Sequence, residues 1–438
     1  MNTTSTITSI KSRLFMSGTP LKRQLHKSLR KQKLQALLLI APLLFFVLFS
    51  FVWPITVMLF RSVENSIVAD TLPRTVAALE SWNAEQGELP DEATYAAFFS
   101  DMVIAVEARR HTRLGTRLNY EEAGMSSLFR RSGRAIGRLE AQAEERAHTQ
   151  QQAQTQAPFK PLLIDIDERW GEATTWATIK AHSVDITNGY FLNAIDMRRT
   201  PQGAQMQPED KQIMITLFIR TIWMSLIITG LCGILGYAVA WMLSILPTRQ
   251  SNLLMICVLL PFWTSLLVRT SAWKVMLQQE GVINDMLVWL GLIADDARLV
   301  LINNQFGTIV AMTHILLPFM ILPMYAVMKT IPKSYMRAAR SLGANNWTAF
   351  WRIYFPQSVP GIGAGSILVF ILAIGYYITP EIVGGTRGVF ISSRIAYHIS
   401  TSLNWGLAAA LGAILLVVVL VLYWVYDKIV GIDNVKLG

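Results

Sequence analysis

The sequence is poor in the residues and motifs with which enzymes do chemistry. Only 16% of its 438 residues are charged, two are cysteine, and no acidic residue lies in its long apolar runs. It has no glycine-rich phosphate loop ending in Lys-Ser or Lys-Thr, no His-Glu-x-x-His and no Gly-x-Ser-x-Gly motif. We therefore expect a chain that is not itself catalytic and that takes any energy it uses from a partner.

What the sequence has in abundance is apolar length. Hydrophobic residues make up 52% of it, which is more than an ordinary soluble protein of this size contains. Because a helix needs roughly 20 apolar residues to cross a bilayer core of about 30 Å, the sequence predicts an all-α integral membrane protein with six spans. The predicted spans are Leu34–Phe60, Ile213–Leu246, Leu253–Met276, Phe306–Met328, Val359–Pro380 and Trp405–Tyr426.

Basic residues cluster before the first predicted span, where no acidic residue is found. They are Lys11, Arg13, Lys22, Arg23, Lys27, Arg30, Lys31 and Lys33. Lysine and arginine near span ends stay on the cytoplasmic side, so an even number of spans predicts two cytoplasmic termini. The net charge of +10 then reflects topology and anionic lipid, and no basic soluble domain suggests a nucleic-acid partner.

The segment from 61 to 212 is predicted to be an external insertion between the first two spans. In it, Met125, Leu128, Phe129, Ile136 and Leu139 recur at near-helical spacing, which indicates an amphipathic helix that lies on the membrane or packs on its own domain. A following acidic turn with Asp165, Asp167 and Glu168 is a weak metal candidate, and a surface turn is favoured. The Gln/Ala-rich stretch 148–160 is expected to be a flexible linker.

Small and polar residues inside the spans are expected to serve helix packing. The glycines at 230, 233 and 236 and at 361, 363 and 365 let helices approach closely. Cys232 and Cys257 are expected to pack rather than form a disulfide, and His314 to bond a neighbouring helix.

A basic, amphipathic segment separates the fourth and fifth spans. Ser334 can cap a short helix from Tyr335 to Leu342, and Gly343 can adopt the left-handed conformation that ends it. Asn345 or Asn346 can then start a second helix, which is expected to stop at Pro356. The second helix carries an apolar stripe predicted to bind the inner membrane face, made of Trp347, Phe350, Trp351 and Tyr354. We name the whole segment 329–360 the elbow.

The pattern Ala338-Ala339, Gly343, Ile353 and Pro356 resembles the "EAA" loop with which permease subunits of bacterial ABC importers dock onto their ATPases. The stretches LLPFWTSLLVRTSAW, HILLPFMILPMYAVMKTIP and GYYITPEIVGG are similar to permeases of the polyamine type. The resemblance covers the first span and residues 213 to the C-terminus. Where the family usually has glutamate this chain has Arg337, which suits an acidic groove.

This resemblance implies a permease subunit with two ATP-binding subunits, a second homologous permease and a periplasmic binding protein, which bind ATP and cargo in its place. Arg337, Ala338, Ala339, Gly343, Ile353 and Pro356 become the expected coupling residues. The expected domains are a basic cytoplasmic segment 1–33, the first span 34–60, a periplasmic insertion 61–212, a permease core 213–428 with the coupling loop 329–360, and a cytoplasmic tail 429–438.

Aromatic and acidic residues indicate a path for an organic cation. Aromatic faces attract ammonium groups and a carboxylate concentrates cations, so the predicted path is Trp263, Thr264, Tyr376, Tyr377, Thr379 and Glu381. The alternative is that these side chains are interfacial anchors and packing residues. Arg220 and Arg269 disfavour a purely cationic route unless acidic neighbours such as Asp285 pair with them.

Other function classes stay open at this point. An ion-coupled transporter or channel would need buried acidic residues at mid-membrane depth, and the spans have none. A membrane-anchored receptor would not need six glycine-rich spans. Within the importer class, composition does not separate a polyamine from an amino-acid-like or opine-like solute.

Overall fold

The computed structural model describes residues 18–84, 87–148, 158–200 and 203–430, and these are almost entirely helical. The chain divides into two compact units, residues 1–60 and 61–438. Most of the predicted linker and of the C-terminal tail, and the basic residues Lys11 and Arg13, lie outside the described residues.

The first unit is one long apolar helix with a single irregularity. Helix α1 is Gly18–Val47, a π-helical turn is Leu48–Val52, and α2 is Trp53–Arg61, whose last residue belongs to the second unit. Pro54 is the second residue after the π turn, and a proline lacks the N–H that a regular α-helix would use at that position. The wider turn lets the helix continue past it.

The insertion is a helical domain built on aromatic side chains. Its elements are α3 Ile67–Thr71, α4 Pro73–Glu80, α5 Glu92–Glu107, α6 His111–Asn119, α7 Met125–His148, α8 Phe159–Ile166, α9 Ala173–Ala181, α10 Gly189–Ala194 and the hairpin β1 Met197–Thr200 with β2 Gly203–Met206. Phe98 and Trp170 are fully buried with ring centroids 4.3 Å apart. Phe129 and Ile136 of α7 pack into the same cluster, so the predicted amphipathic helix packs on its own domain.

The acidic turn of the insertion is held by ion pairs. Asp167 lies 3.1 Å from Arg131 and 2.9 Å from Arg169. The hydrogen bond from Arg169 lowers the pKa of Asp167 against the opposing effect of burial. In the described ranges no group of three His, Cys, Asp or Glu is placed to hold a metal ion, and Asp167 is buried rather than part of a surface turn.

The end of the insertion caps the second span. The carboxylate of Asp196 accepts hydrogen bonds from the backbone N–H groups of Ile213, Met214 and Ile215, at 3.0, 2.9 and 2.8 Å. These are among the N–H groups that lack partners at the start of a helix, where a negative charge is favourable. Tyr190 packs on Gly406 at the start of the last helix, where a side chain would collide with its ring. The insertion is therefore fixed to the core at two helix starts.

The core consists of long helices joined by short ones. They are α11 Met214–Ile245, α12 Thr248–Leu259, α13 Leu266–Met276, α14 Val282–Trp289, α15 Gln305–Thr330, α16 Lys333–Ser341, α17 Asn346–Ala349, a π turn Phe350–Tyr354, α18 Phe355–Gly375, α19 Ile378–Val383, α20 Gly385–Gly388, α21 Ile391–Ser400 and α22 Trp405–Val430. Among the described residues, five helices are long and apolar enough to cross a membrane, and a bent pair makes six if it counts as one span.

The third predicted span is not one straight helix, which corrects the sequence prediction. The segment Thr248–Trp263 and helix α13 meet at an angle of 93°. Ser265 caps the new helix by accepting a hydrogen bond from the N–H of Val268 at 3.2 Å. Hydropathy alone does not reveal the break, because Pro261 and Ser265, which mark it, lie within an otherwise apolar run.

The fifth span begins and ends earlier than predicted. One helical run extends over 30 residues, Asn346–Gly375, so Pro356 does not stop the second elbow helix. The π turn Phe350–Tyr354 immediately precedes Phe355 and Pro356, as the first π turn precedes Pro54. The run ends at Gly375, and Tyr376 and Tyr377 lie in a break before α19.

Small residues bring α11, α15 and α18 together, as expected. A Cβ on Gly365 would lie 2.7 Å from the sulfur of Met320, and one on Gly236 would lie 3.0 Å from its Cγ. Gly230, in contrast, has no atom within 4 Å of such a Cβ. Cys232 and Cys257 are both free thiols; Cys232 is buried, as its predicted packing role requires, whereas Cys257 is exposed.

Candidate functional site

The elbow has the predicted turn between two helices. Gly343 has φ +89°, a left-handed conformation that side chains rarely adopt, and no atom would contact a Cβ there. Asn345 caps α17 by accepting a hydrogen bond from the N–H of Thr348 at 2.7 Å. The predicted cap at Ser334 is wrong: α16 starts at Lys333 after Pro332, because the fixed φ of proline already suits a helix start.

The elbow exposes one part of its predicted coupling motif and buries another. Arg337 and Ala338 are exposed, whereas Ala339 packs inward and only Ala338 can meet another chain closely. Ile353 is half-buried and Pro356 is exposed. The turn also presents Leu342, of which 89% is exposed.

Only half of the apolar stripe on the second elbow helix packs within the chain, and the other half is exposed. Trp347 and Trp351 are exposed, but Phe350 and Tyr354 pack against α11. The ring of Phe350 lies 6.1 Å from that of Tyr237, and the hydroxyls of Tyr354 and Ser244 are 3.0 Å apart. The elbow is thus attached to α11 as well as continuous with α18.

Two predicted path residues, Trp263 and Thr264, lie at the break in the third span. Trp263 is 77% exposed, and the hydroxyl of Thr264 donates to the carbonyl of Pro261 at 2.9 Å. Both residues were predicted within one continuous span Leu253–Met276, but the chain turns at this point.

The other predicted path residues lie around the break after α18. Tyr376 is half-buried and Tyr377 exposed. Thr379 is buried, and its hydroxyl lies 3.1 Å from that of Thr270 on α13, so it joins two helices rather than facing an open route. Glu381 is exposed on α19.

A partly exposed polar cluster between helices of the core was only partly recognised from the sequence. The indole N–H of Trp273 donates to Nδ1 of His314 at 3.1 Å, which is the predicted bond to a neighbouring helix. Arg269 lies close enough to His314 and Tyr376 to act on both electrostatically. Three separate elements, α13, α15 and the break after α18, therefore bring polar groups together. The available signal was a charged residue within the apolar run LLVRTSAW.

Asp285 does not neutralise either arginine of the predicted path. It lies 2.7 Å from Arg298, which also binds Asp295 at 2.8 Å. The hydrogen bonds to Asp285 and Asp295 raise the pKa of Arg298. Arg220 instead donates to the carbonyl of Thr386 at 3.0 Å. The suggested acidic compensation is therefore wrong.

A cavity of about 530 Å³ surrounds Glu381. Arg220 and Arg394 line the same cavity, together with Tyr397. A cavity lined by one carboxylate and two guanidinium groups can bind both an ammonium and an anionic group, so this cavity is not selective for cations alone.

Comparison with known proteins shows that these features lie in a region of the chain that matches a family of transport proteins. A family model described as binding-protein-dependent transport system inner membrane component matches residues 234–430. The chain is 34% identical over 216 residues to the spermidine/putrescine transport system permease protein PotB of Haemophilus influenzae, covering 48% of this chain and 75% of PotB. It is 30% identical over 225 residues to the inner membrane ABC transporter permease protein YdcU of Escherichia coli, covering 49% and 71%.

Among solved structures, the chain is similar to a bacterial ABC transporter involved in the import of the acidic polysaccharide alginate. The identity is 22% and the TM-score 0.40, over 56% of this chain and 88% of the other. The elbow and the polar cluster lie inside the range that the family model matches, whereas the insertion lies outside it.

Proposed function

The chain belongs to the binding-protein-dependent inner membrane components of ABC importers, and on that premise we propose that it moves a polyamine-like organic cation across the inner membrane by alternating access. In this proposal two ATP-binding subunits supply the energy, a second homologous permease completes the path, and a periplasmic binding protein delivers the cargo. The insertion is then periplasmic and both termini are cytoplasmic.

The observation that carries the proposal is the continuity of the elbow with a membrane span. Asn346–Gly375 is one helical run, with the elbow at one end and the break at Tyr376 at the other. Because a helix transmits displacement along its length, movement of the elbow reaches the residues beside the polar cluster. The contacts of Phe350 and Tyr354 with α11 carry the same movement to a second span.

The ATPase has to hold the elbow differently in its two states, because a ligand with equal affinity for both shifts no equilibrium. Arg337, Ala338 and Leu342 form the exposed surface that is available for this contact. In the proposal, a positive Arg337 meets an acidic groove on the ATPase, and the small side chain of Ala338 allows close approach.

A second candidate cargo is an amino-acid-like solute that carries a carboxylate beside its ammonium group. The observation that favours it is the cavity lined by Glu381, to which Arg220 and Arg394 also contribute. The likeness to PotB, a permease of a spermidine/putrescine transport system, supports the polyamine as the first choice.

The cargo is tested by reconstituting the full transporter in proteoliposomes. We expect ATP-dependent accumulation of radiolabelled putrescine or spermidine, with unlabelled polyamine competing and unlabelled ornithine not competing. Saturable uptake of ornithine without uptake of polyamine would show that the cargo is an amino-acid-like solute instead. Absence of ATP dependence for any solute would contradict the importer mechanism itself.

The elbow is tested in the same preparation with Gly343→Val. Valine is strained at φ +89°, so we expect cargo-stimulated ATP hydrolysis to fall at least fivefold while the chain still inserts. Gly291→Val is the matched control, because Gly291 has φ +70° and equally open surroundings but lies outside the elbow. Equal stimulation in both variants would remove the elbow from coupling, and Gly343→Asn should retain most of it because asparagine tolerates this conformation.

A further inference from the structure

Arg269 lies on a half-buried face of α13. On the same face, Thr270 bonds Thr379 and Trp273 bonds His314, each at 3.1 Å. Leu267 and Val268, which precede Arg269, are exposed. Arg269 thus lies at the boundary between the packed helices and the exposed surface of α13.

The guanidinium of Arg269 lacks hydrogen-bond partners for some of its nitrogens. Its Nε and Nη1 atoms are buried and have no hydrogen-bond partner among the residues that the structure describes. Nor does Arg269 take part in any ion pair within 4.0 Å in this part of the chain. The guanidinium has five N–H donors and stays charged at any physiological pH, so it cannot avoid the cost by losing its proton.

The position of the neighbouring His314 puts this charge at membrane depth. His314 is the tenth residue of α15, which begins at Gln305, and is thus about 14 Å from that helix start at 1.5 Å per residue. A charged side chain at such depth is costly unless it is paired. The nearest acidic candidate suggested by the sequence, Asp285, is already bound to Arg298.

We propose that Arg269 forms a buried ion pair with a carboxylate of the second permease subunit. The proposal rests on the proposed function, in which two permeases line one path. An unneutralised guanidinium beside Tyr376 would repel a cationic cargo, whereas a carboxylate from the facing subunit removes that repulsion. The uncovered apolar residues Trp263, Leu267 and Val268, which adjoin Arg269 along the chain, give the second subunit a surface to pack on.

The pairing is tested by assembly, which does not depend on the cargo. The complete transporter is purified through a tag on this chain, and the second permease retained per chain is measured by quantitative mass spectrometry. We expect Arg269→Gln to lower the retained amount at least fivefold and Arg269→Lys to lower it less, because lysine keeps the charge but not the bidentate geometry. Arg298→Gln is the matched control: it removes an arginine that pairs within the chain, and retention should be unchanged.

Charge exchange identifies the partner group and guards against a folding defect. Arg269→Glu is combined with arginine at each Asp or Glu predicted in the spans of the second subunit. One such pair should restore retention to at least half of the parental level.

Three results would overturn the proposal. They are parental retention in Arg269→Gln, failure of every exchange pair, and intact assembly with selective loss of transport of carboxylate-bearing solutes. The last result would assign Arg269 to the cargo. If the transporter took up polyamine at the parental level while one of these results was found, the proposed function would still hold. If Arg269→Gln lowered retention as expected but the transporter took up no polyamine, only the cargo assignment would be refuted.

Discussion

The insertion and the transport core treat their buried charges differently. In the insertion, Arg117 and Glu121 are both buried and lie 2.7 Å apart, and Arg117 also donates to Asn65 at 3.0 Å. In the core, Arg269 has two buried nitrogens without a partner in the described part of the chain. Both regions therefore leave a buried guanidinium nitrogen without a partner, Nη2 of Arg117 in the insertion and Nε and Nη1 of Arg269 in the core, but of these two arginines only Arg117 has an acidic partner in the described part of the chain.

The same contrast holds for apolar surface. Trp170 and Trp176 of the insertion are completely buried in its own core, whereas Trp263, Trp347 and Leu342 of the transport core are largely exposed. A domain that covers its own large side chains needs no neighbour for stability, while one that leaves them uncovered is built to meet lipid or protein. The difference indicates that the insertion is stabilised mainly by its own core, whereas the transport core leaves apolar surface for contact with lipid or partner proteins.

The largest expected effect compares the same substitution in the two regions. Trp170→Ala removes a ring 4.3 Å from that of Phe98 and an indole N–H that donates to Ser132, and should destabilise the insertion by about 3–5 kcal/mol. Trp263→Ala should change the stability of the isolated chain by less than about 0.5 kcal/mol, because the ring is mostly exposed.

Both variants are measured on the purified chain in detergent by thermal unfolding and by hydrogen exchange of α5 and α9. Equal destabilisation would mean that Trp263 packs within the chain. In the assembled transporter, Trp263→Ala should have a larger effect than in the isolated chain, which sharpens the distinction between self-covered and partner-covered side chains.

A smaller effect concerns acid stability of the insertion. Burial lowers the pKa of His182 to about 4 from 6.5; Glu121 opposes the shift, and Arg117 and Arg199 add to it. The folded state therefore keeps His182 neutral, and its contribution is fully present above pH 6.5 and is lost as the pH falls toward 4. The loss should be on the order of 3 kcal/mol.

Hydrogen exchange of α9 between pH 7 and pH 4.5 measures this loss, after correction for the intrinsic exchange rate. His182→Asn should flatten the pH dependence at α9. Burial also lowers the pKa of His398, which lies near Arg394, to about 4, so the local readout is needed to separate the two histidines. An unchanged slope in His182→Asn would assign the acid sensitivity elsewhere.

The smallest expected effect tests packing within the core. Gly365→Ala places a Cβ 3.1 Å from the carbonyl oxygen of Met320 and closer still to its sulfur, so α15 and α18 must separate slightly, at a cost of about 1–3 kcal/mol. Gly230→Ala meets no atom within 4 Å and should be neutral or slightly stabilising. Thermal unfolding of the two variants in the same nanodiscs measures this difference in stability. Equal values would show that close approach at Gly365 is not needed.

Features that depend on local chemistry could be predicted from the sequence. The positive φ of Gly343, the Asn345 cap and the bond of His314 to another helix each follow from what one residue type does best. The apolar runs likewise revealed the spans, because length and hydropathy are properties of the chain itself.

Features that depend on the packing of distant parts of the chain could not be predicted from the sequence. The 93° bend contains no glycine at its vertex, and its local signals, Pro261 and the Ser265 cap, lie within a run that has the length and hydropathy of one straight span. Pro356 was taken to end a helix because a π turn is not visible as a sequence pattern. The free nitrogens of Arg269 are a result of where every other side chain lies, so no local motif reports them.

The π turn Phe350–Tyr354 has a consequence for the angular phase of the long helix. Each residue of an α-helix advances the side-chain direction by about 100°, so a turn that accommodates one extra residue rotates everything before it relative to everything after it. The direction in which the elbow faces its neighbour and the direction in which the span faces the path are therefore set separately. A homologous chain could redirect one without redesigning the other, by gaining or losing a single residue at this joint.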